Sequence, residues 1–343
     1  MESLVVFAIV VGIAPSLQDE GGAEEAFEWE VESGFLSPNI GLGPFRGLSV
    51  APLASLRPGF FPVPPSNLPR GSFELHETED WANVWSVNGS KFFLDYEVLV
   101  SEVSLAYGID DGLRVEFAFV DGARFGGTLD PLIIGTHRLV GARQKGRTDF
   151  PENDFRYELD PGNGRPAIAL DNGERGSYAQ AIEGTAQYTF AGERGGPPAL
   201  SGALTLRREV GESELRGGSP LDVALSLSSA IGFGDFYAYL GAGAAWFGHE
   251  RFHGLALRAM QYSGLAAIEW NFVSWLSFIV RYQLIEGGLN ADGPFSRPSH
   301  ESTIGFKIEP WRNVLVEVAM IENHVNPYNS ADFGFHLGVA IRW

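Results

Sequence analysis

ADFGFHLGVAIRW, residues 331–343, decides the fold. In an extended chain successive side chains point to opposite faces. Phe333, Phe335, Leu337, Val339, Ile341 and Trp343 therefore share one face, and Asp332, Gly334, His336, Gly338, Ala340 and Arg342 share the other. The alternation runs unbroken from Asp332 to Trp343, which makes the stretch a strand with one apolar and one mixed face.

The same pattern recurs upstream in LRVEFAFV, PLDVALSLSSAI, FYAYLGAGAAWF, AAIEWNF, WLSFIVRYQLI, STIGFKI and NVLVEVAMI. Short links, IDDG, GFGD, NFVSW and EPWRN, alternate with long ones, of which residues 122–176 form the longest. Asn88-Gly89 suits the tight type I′ turn of a first hairpin. About twelve strands joined in this manner predict an all-β fold: an antiparallel up-and-down transmembrane β-barrel with short turns on the periplasmic side and long loops outside.

The two faces say which solvent the barrel meets. Leu276, Phe278, Val280, Tyr282 and Leu284 oppose Ser277, Arg281 and Gln283, while Ile304, Phe306 and Ile308 oppose Thr303, Gly305, Lys307 and Glu309. A water-facing exterior carries Lys, Glu and Thr, whereas a crowded lumen favours small residues and paired charges. Aromatics at strand ends, among them Trp246, Phe247, Trp270, Phe272, Trp275, Trp311, Phe333 and Trp343, suit interfacial girdles in outer-membrane lipid.

Composition agrees with this reading. Lys and Arg number 24 against 43 Asp and Glu, a net charge of -19 that argues against nucleic-acid binding. Glycines number 43 and aromatics reach 13%, a turn-rich β composition, and the lack of cysteine excludes disulfides and thiolate metal sites. No apolar run is long enough for a spanning helix. Leu4–Ala14, LVVFAIVVGIA, followed by small residues, predicts a signal peptide over residues 1–16, although its leading residues lack the usual positive charge.

Residues 17–70 are acidic and then rich in proline, with eight prolines between Pro38 and Pro69. Proline donates nothing to a sheet ladder, so this segment lies outside the barrel of residues 71–343. Two placements follow, a tether along the periplasmic rim or a plug that enters the mouth and narrows the pore. A plug would bring Phe45, Phe60 and Phe61 inside and direct Arg46 and Arg57 to lumen glutamates. A barrel of this size leaves room that water or chain must fill.

The stretches GPFRGLSVAPLASLRPG, LPRGSFELHETEDWAN, DYEVLVSEVSLAYGIDDGLRVEFAFV and TLDPLIIGTHRLVGARQKGRTDFPENDF, in that order and followed by paired strands to a terminal aromatic, resemble the uncharacterised bacterial family of domain of unknown function 3187. The resemblance covers roughly residues 35–343 and implies an outer-membrane location, with no biochemical activity attached. Trp343 resembles the terminal aromatic by which the outer-membrane barrel assembly machinery recognises its clients.

Alternation places Glu97, Arg114, Glu116, Arg207, Glu269, Arg281, Gln283, Lys307, Glu317, His336 and Arg342 in the lumen, where charges must be paired. They either salt-bridge one another or line a polar permeation path. Residues 129–142 permit a short helix, expected as a cap folded over the mouth and carrying Asp130, His137 and Arg138. Arg138, Arg143, Lys145 and Arg147 form a basic patch that either meets lipopolysaccharide phosphates or pairs with neighbouring acids. Catalysis is not expected: HERFH, residues 249–253, matches a zinc motif in letters but sits in a loop without the helix that aligns the ligands, and no cofactor or metal site is read. The functional expectation is a pore for small solutes or lipophilic molecules. The alternatives are an envelope structural or interaction protein and, less favoured, a rim lipid hydrolase.

Overall fold

The computed structural model describes residues 34–57, 62–66, 68–88, 91–140, 146–159, 168–170, 176–191, 198–290, 293–323, 325 and 328–343. The expected signal peptide, the acidic stretch to Ser33, Phe60, Phe61, Gly89, Arg143 and Lys145 lie outside these residues.

Twelve antiparallel strands form the barrel. They are β1 (Phe73–Asn88), β2 (Phe92–Asp110), β3 (Leu113–Phe125), β6 (Gly176–Ala191), β7 (Ala199–Ser213), β9 (Leu221–Phe233), β10 (Phe236–Trp246), β13 (Met260–Val273), β14 (Leu276–Ile285), β15 (Ser299–Trp311), β16 (Val314–Glu322) and β17 (Phe333–Arg342). Each pairs with its chain neighbour in this series, and β1 also pairs with β17, from Glu74 opposite Arg342 to Asn83 opposite Phe333, which closes the sheet. Closure leaves no unpaired edge, as hydrocarbon demands.

The barrel is inside-out. Phe117 is 73% exposed, Leu227 65% and Leu240 63%, whereas Glu269 and His336 are fully buried. A soluble protein does not present such a belt of large apolar side chains to water, and acyl chains are its natural cover.

The long-loop end carries the remaining elements. Helix α1 (Asp130–Val140), β4 (Arg156–Leu159) and β5 (Ile168–Leu170) arise from the longest loop, and β4 pairs with the start of β2, beyond the reach of β3. Strands β8 (Leu215–Gly218), β11 (His249–Phe252) and β12 (Leu255–Ala256) make a separate small sheet. An apolar core that includes Leu53, Leu56, Tyr96, Tyr157, Phe252 and Phe295 seals this end of the lumen.

The N-terminal segment runs up the interior and back. Gly34 starts at the short-turn end, where its amide donates to Glu309 and its carbonyl accepts from Arg342. Arg57 reaches the long-loop end, donating to the carbonyls of His249 and Arg258. The chain then descends through Val63 beside Ser226 and Ser66 beside Arg114 to Pro69 and the start of β1.

Candidate functional site

Buried ionisable side chains converge in the occupied lumen. The rising limb, residues 40–50, has its backbone read by wall side chains in turn. The Leu42 amide donates to Glu269, that of Arg46 to Glu317, that of Leu48 to Asp80 at 2.6 Å and that of Val50 to Glu301 at 3.1 Å. In return Tyr239 donates to the Ile40 carbonyl, Lys307 to that of Pro44, and Arg281 to those of Phe45 and Gly47. Residues 40–50 join no strand, so the wall side chains satisfy what would otherwise be orphaned backbone groups.

Close approach explains Gly47. A Cβ there would lie 2.6 Å from Asp80 Oδ1 and 2.8 Å from His336 Nδ1, closer than any side chain tolerates. His336 itself bridges Asp80 and Glu317 at 2.8 Å each, and Lys307 lies 2.7 Å from Glu317. Phe45 packs edge-on against His336, with Ile279 and Ala319 around it.

On the descending limb Gln187 donates to the carbonyls of Val63 and Pro64, and Ser201 sits beside it. Arg207 lies among Glu183, Glu209 and Asp222, 2.8 Å from the last. Gln283 donates to Glu301 at 3.0 Å, Arg342 to Glu74 at 2.7 Å, and Arg114 to Glu116. Arg46 stands between the limbs, 2.6 Å from Glu116 and 3.6 Å from both Glu74 and Glu102. Two cavities of about 80 and 70 Å³ border Arg46. Burial at the long-loop end pushes Arg57 down to about 10, so it remains cationic at neutral pH. It meets carbonyls and the Phe247 ring, not a lumen glutamate as its sequence position suggested.

Four further expectations are corrected. Glu97 faces outward, not into the lumen: it pairs in register with Phe125 and Asn83, and its carboxylate accepts from the Thr128 and Leu129 amides and from Trp81 Nε1. A Cβ at Gly127, where φ is +73°, would overlap that carboxylate, so only glycine fits the approach. Helix α1 does not cross the mouth. Leu129 and Ile133 pack it onto the outer wall against Phe333, Trp81 and Phe335. Phe333 is therefore buried under the helix and no girdle residue, and Phe247, 8% exposed, is buried too. Asp130 and Arg147 pair with each other at 3.0 Å, and Arg147 also binds Asn83 and Asp332, so Arg147 is not available to lipid phosphates. Arg138 is exposed, and nothing is described for the His137 side chain.

Sequence reasoning passed over Glu74, His76, Asp80, Glu102, Glu183 and Glu301, all buried inside. Strict alternation through ELHETED picks out Glu74, His76 and Asp80, but that stretch also carries Glu77 and Glu79 on the outward face, opposite Val339 and Leu337. Charge on both faces hid the signal. In HERFH, His249 lies 3.0 Å from Glu209 and His253 3.8 Å from Glu214, so the two imidazoles serve different carboxylates.

A family model described as a protein of unknown function, DUF3187, matches residues 31–343, nearly the whole chain. The chain belongs to the DUF3187 family. No curated protein matches this family member in sequence. Among solved structures, the COG4313 outer membrane channel from Pseudomonas putida F1 is similar at 11% identity and a TM-score of 0.50, over 80% of this chain and 97% of that one. The NanC porin is similar at 6% identity and 0.45, over 78% and 98%. The translocator domain of the autotransporter NalP from Neisseria meningitidis is similar at 10% and 0.44, over 80% and 88%. At these identities the likeness is one of fold: this DUF3187 chain has the barrel of an outer-membrane protein.

Proposed function

We propose that the protein is an outer-membrane channel for small solutes or lipophilic molecules, closed in this conformation by the described residues between Gly34 and Pro69. The carrying observation is how the plug is held. Through residues 40–50 the wall grips backbone amides and carbonyls with ionisable side chains, contacts that water can replace one for one when the segment moves. The run Leu4–Ala14 supports export by a signal peptide over residues 1–16, the terminal Trp343 supports recognition by the barrel assembly machinery, and exposed Arg138 supports contact with lipopolysaccharide.

A second reading, an envelope protein without transport, draws on the apolar core at the long-loop end, where Leu48, Val50, Leu53 and Leu56 join loop side chains. Such packing resists withdrawal. The chain has no cysteine, so a disulfide can be placed cleanly between plug and wall. Val63→Cys with Ser226→Cys, whose backbone amide and hydroxyl stand 3.3 Å apart in the native chain, links the descending limb to β9. In planar bilayers the channel reading expects conductance steps that vanish on oxidation and return on reduction. It also expects markedly larger steps after deletion of residues 38–69. Silence in both redox states and after the deletion sinks it in favour of the envelope reading.

A further inference from the structure

The carboxylates around Arg46 are short of one cation from the wall. Glu74 has Arg342 at 2.7 Å, and Glu116 has Arg114 on its own strand. Glu102, 6% exposed, has Arg46 at 3.6 Å as its basic partner among the described ion pairs. Arg46 belongs to the plug and not to the barrel. Removing its side chain leaves Glu102 without a basic partner among the described ion pairs, and a buried carboxylate so placed takes up either a proton or another cation.

The surroundings are those of a binding site and not of a packed core. Arg46 lines two cavities, of about 80 and 70 Å³. His76, 1% exposed, borders the first with neither ring nitrogen hydrogen-bonded, its nearest acidic partner being Glu317 at 3.8 Å. Glu183 borders the second with Oε1 lacking a hydrogen bond, 3.6 Å from Arg207. Buried polar atoms that lack a hydrogen bond at the edge of a cavity are places where a ligand or water supplies the missing bond.

We propose that Arg46 occupies a cation site of the channel, and that the lumen accepts small organic cations of the guanidinium or primary-ammonium type at Glu74, Glu102 and Glu116 once the plug moves. This deepens the channel reading and rests on it. Arg46 then acts as an internal competitor: the group that closes the lumen imitates the charge of the solute that passes. The planar fork of a guanidinium matches paired carboxylates better than a point charge does, so guanidinium compounds rank above ammonium ones.

Chemical rescue tests the site in the full-length chain. Arg46→Ala in detergent micelles is heated with and without millimolar methylguanidinium, ethylammonium or acetate. We expect a lowered melting midpoint that methylguanidinium raises by about 2 °C or more, with ethylammonium weaker and acetate inert. The native protein does not respond. Adding Glu102→Gln to Arg46→Ala removes the uncompensated charge and with it the response. No rescue by either cation, or equal rescue by acetate, overturns the proposal. If Arg46→Ala does not assemble, Arg46→Gln, closer in volume, carries the same test. Bilayer recordings on the same variant separate the two readings: rescue without conductance keeps the cation site and removes the channel, whereas conductance without rescue does the reverse.

Discussion

The guanidinium of Arg281, on β14, stands 2.7 Å from the carbonyl oxygen of Phe45 and 2.9 Å from that of Gly47. One wall side chain thus holds both sides of Arg46. Arg281→Met strips two buried carbonyls of their donor, and hydrogen bonds to charged groups contribute about 1.5–3 kcal/mol each. Amide hydrogen exchange across residues 42–50 is expected to accelerate while the barrel strands keep their protection. Unchanged exchange there would show that other contacts fix the segment.

Lipid-facing arginines separate into two classes. Phe306→Arg sits among Phe278 and Val318 and is expected to destabilise the barrel by about 2–4 kcal/mol, as for a cation at mid-membrane depth. Leu337→Arg stands opposite Glu79, and an opposite-charge pair across strands recovers about 0.2–1 kcal/mol. Urea unfolding in lipid vesicles should rank Phe306→Arg as the worse, and adding Glu79→Gln to Leu337→Arg should erase the difference. Equal penalties with and without Glu79 would mean that the two side chains do not meet.

The barrel was legible because β14 and β17 keep one face apolar along their whole length and β15 does so from Ile304 to Ile308, and a period of two leaves no other arrangement for them. Alternation misplaces Glu97 because DYEVLVSEV carries acids on both parities, Asp95 and Glu97 on one and Glu102 on the other. Parity with Leu105 and Tyr107 on β2 sends it outward, and it is buried only because α1 lies on top. The grip on the plug was beyond reading from sequence, since GPFRGLSV offers backbone groups, and a backbone carries no residue code for its partner.

Glu97 anchors α1 to the outer wall through two amides at the helix entry and the Trp81 indole. Glu97→Ala removes all three acceptor contacts. Limited proteolysis is expected to open the segment from Gly126 to Phe155 several-fold faster, with barrel heat-resistance in detergent nearly unchanged. A parallel loss of barrel stability would place the helix among the elements that hold the barrel closed.

Trp343 stacks on Phe73 with ring centroids 5.9 Å apart, and their backbones exchange hydrogen bonds. Removing Trp343 deletes one such pair at the barrel seam, a small thermodynamic loss beside the whole sheet. Its expected effect is kinetic: pulse-chase assembly should slow and periplasmic precursor accumulate, while the barrel that does form melts near the native temperature. Normal assembly kinetics would remove the recognition role.

The N-terminal segment enters at Gly34 and leaves at Pro69 through the same short-turn end. Topologically it is a finger pushed into a glove and not a thread drawn through a needle. No chain terminus has to travel the length of the barrel for the interior to fill or to empty, and no strand pair has to part. The seam between β1 and β17 is therefore free to close before or after the finger goes in, a history of folding that the finished structure does not constrain.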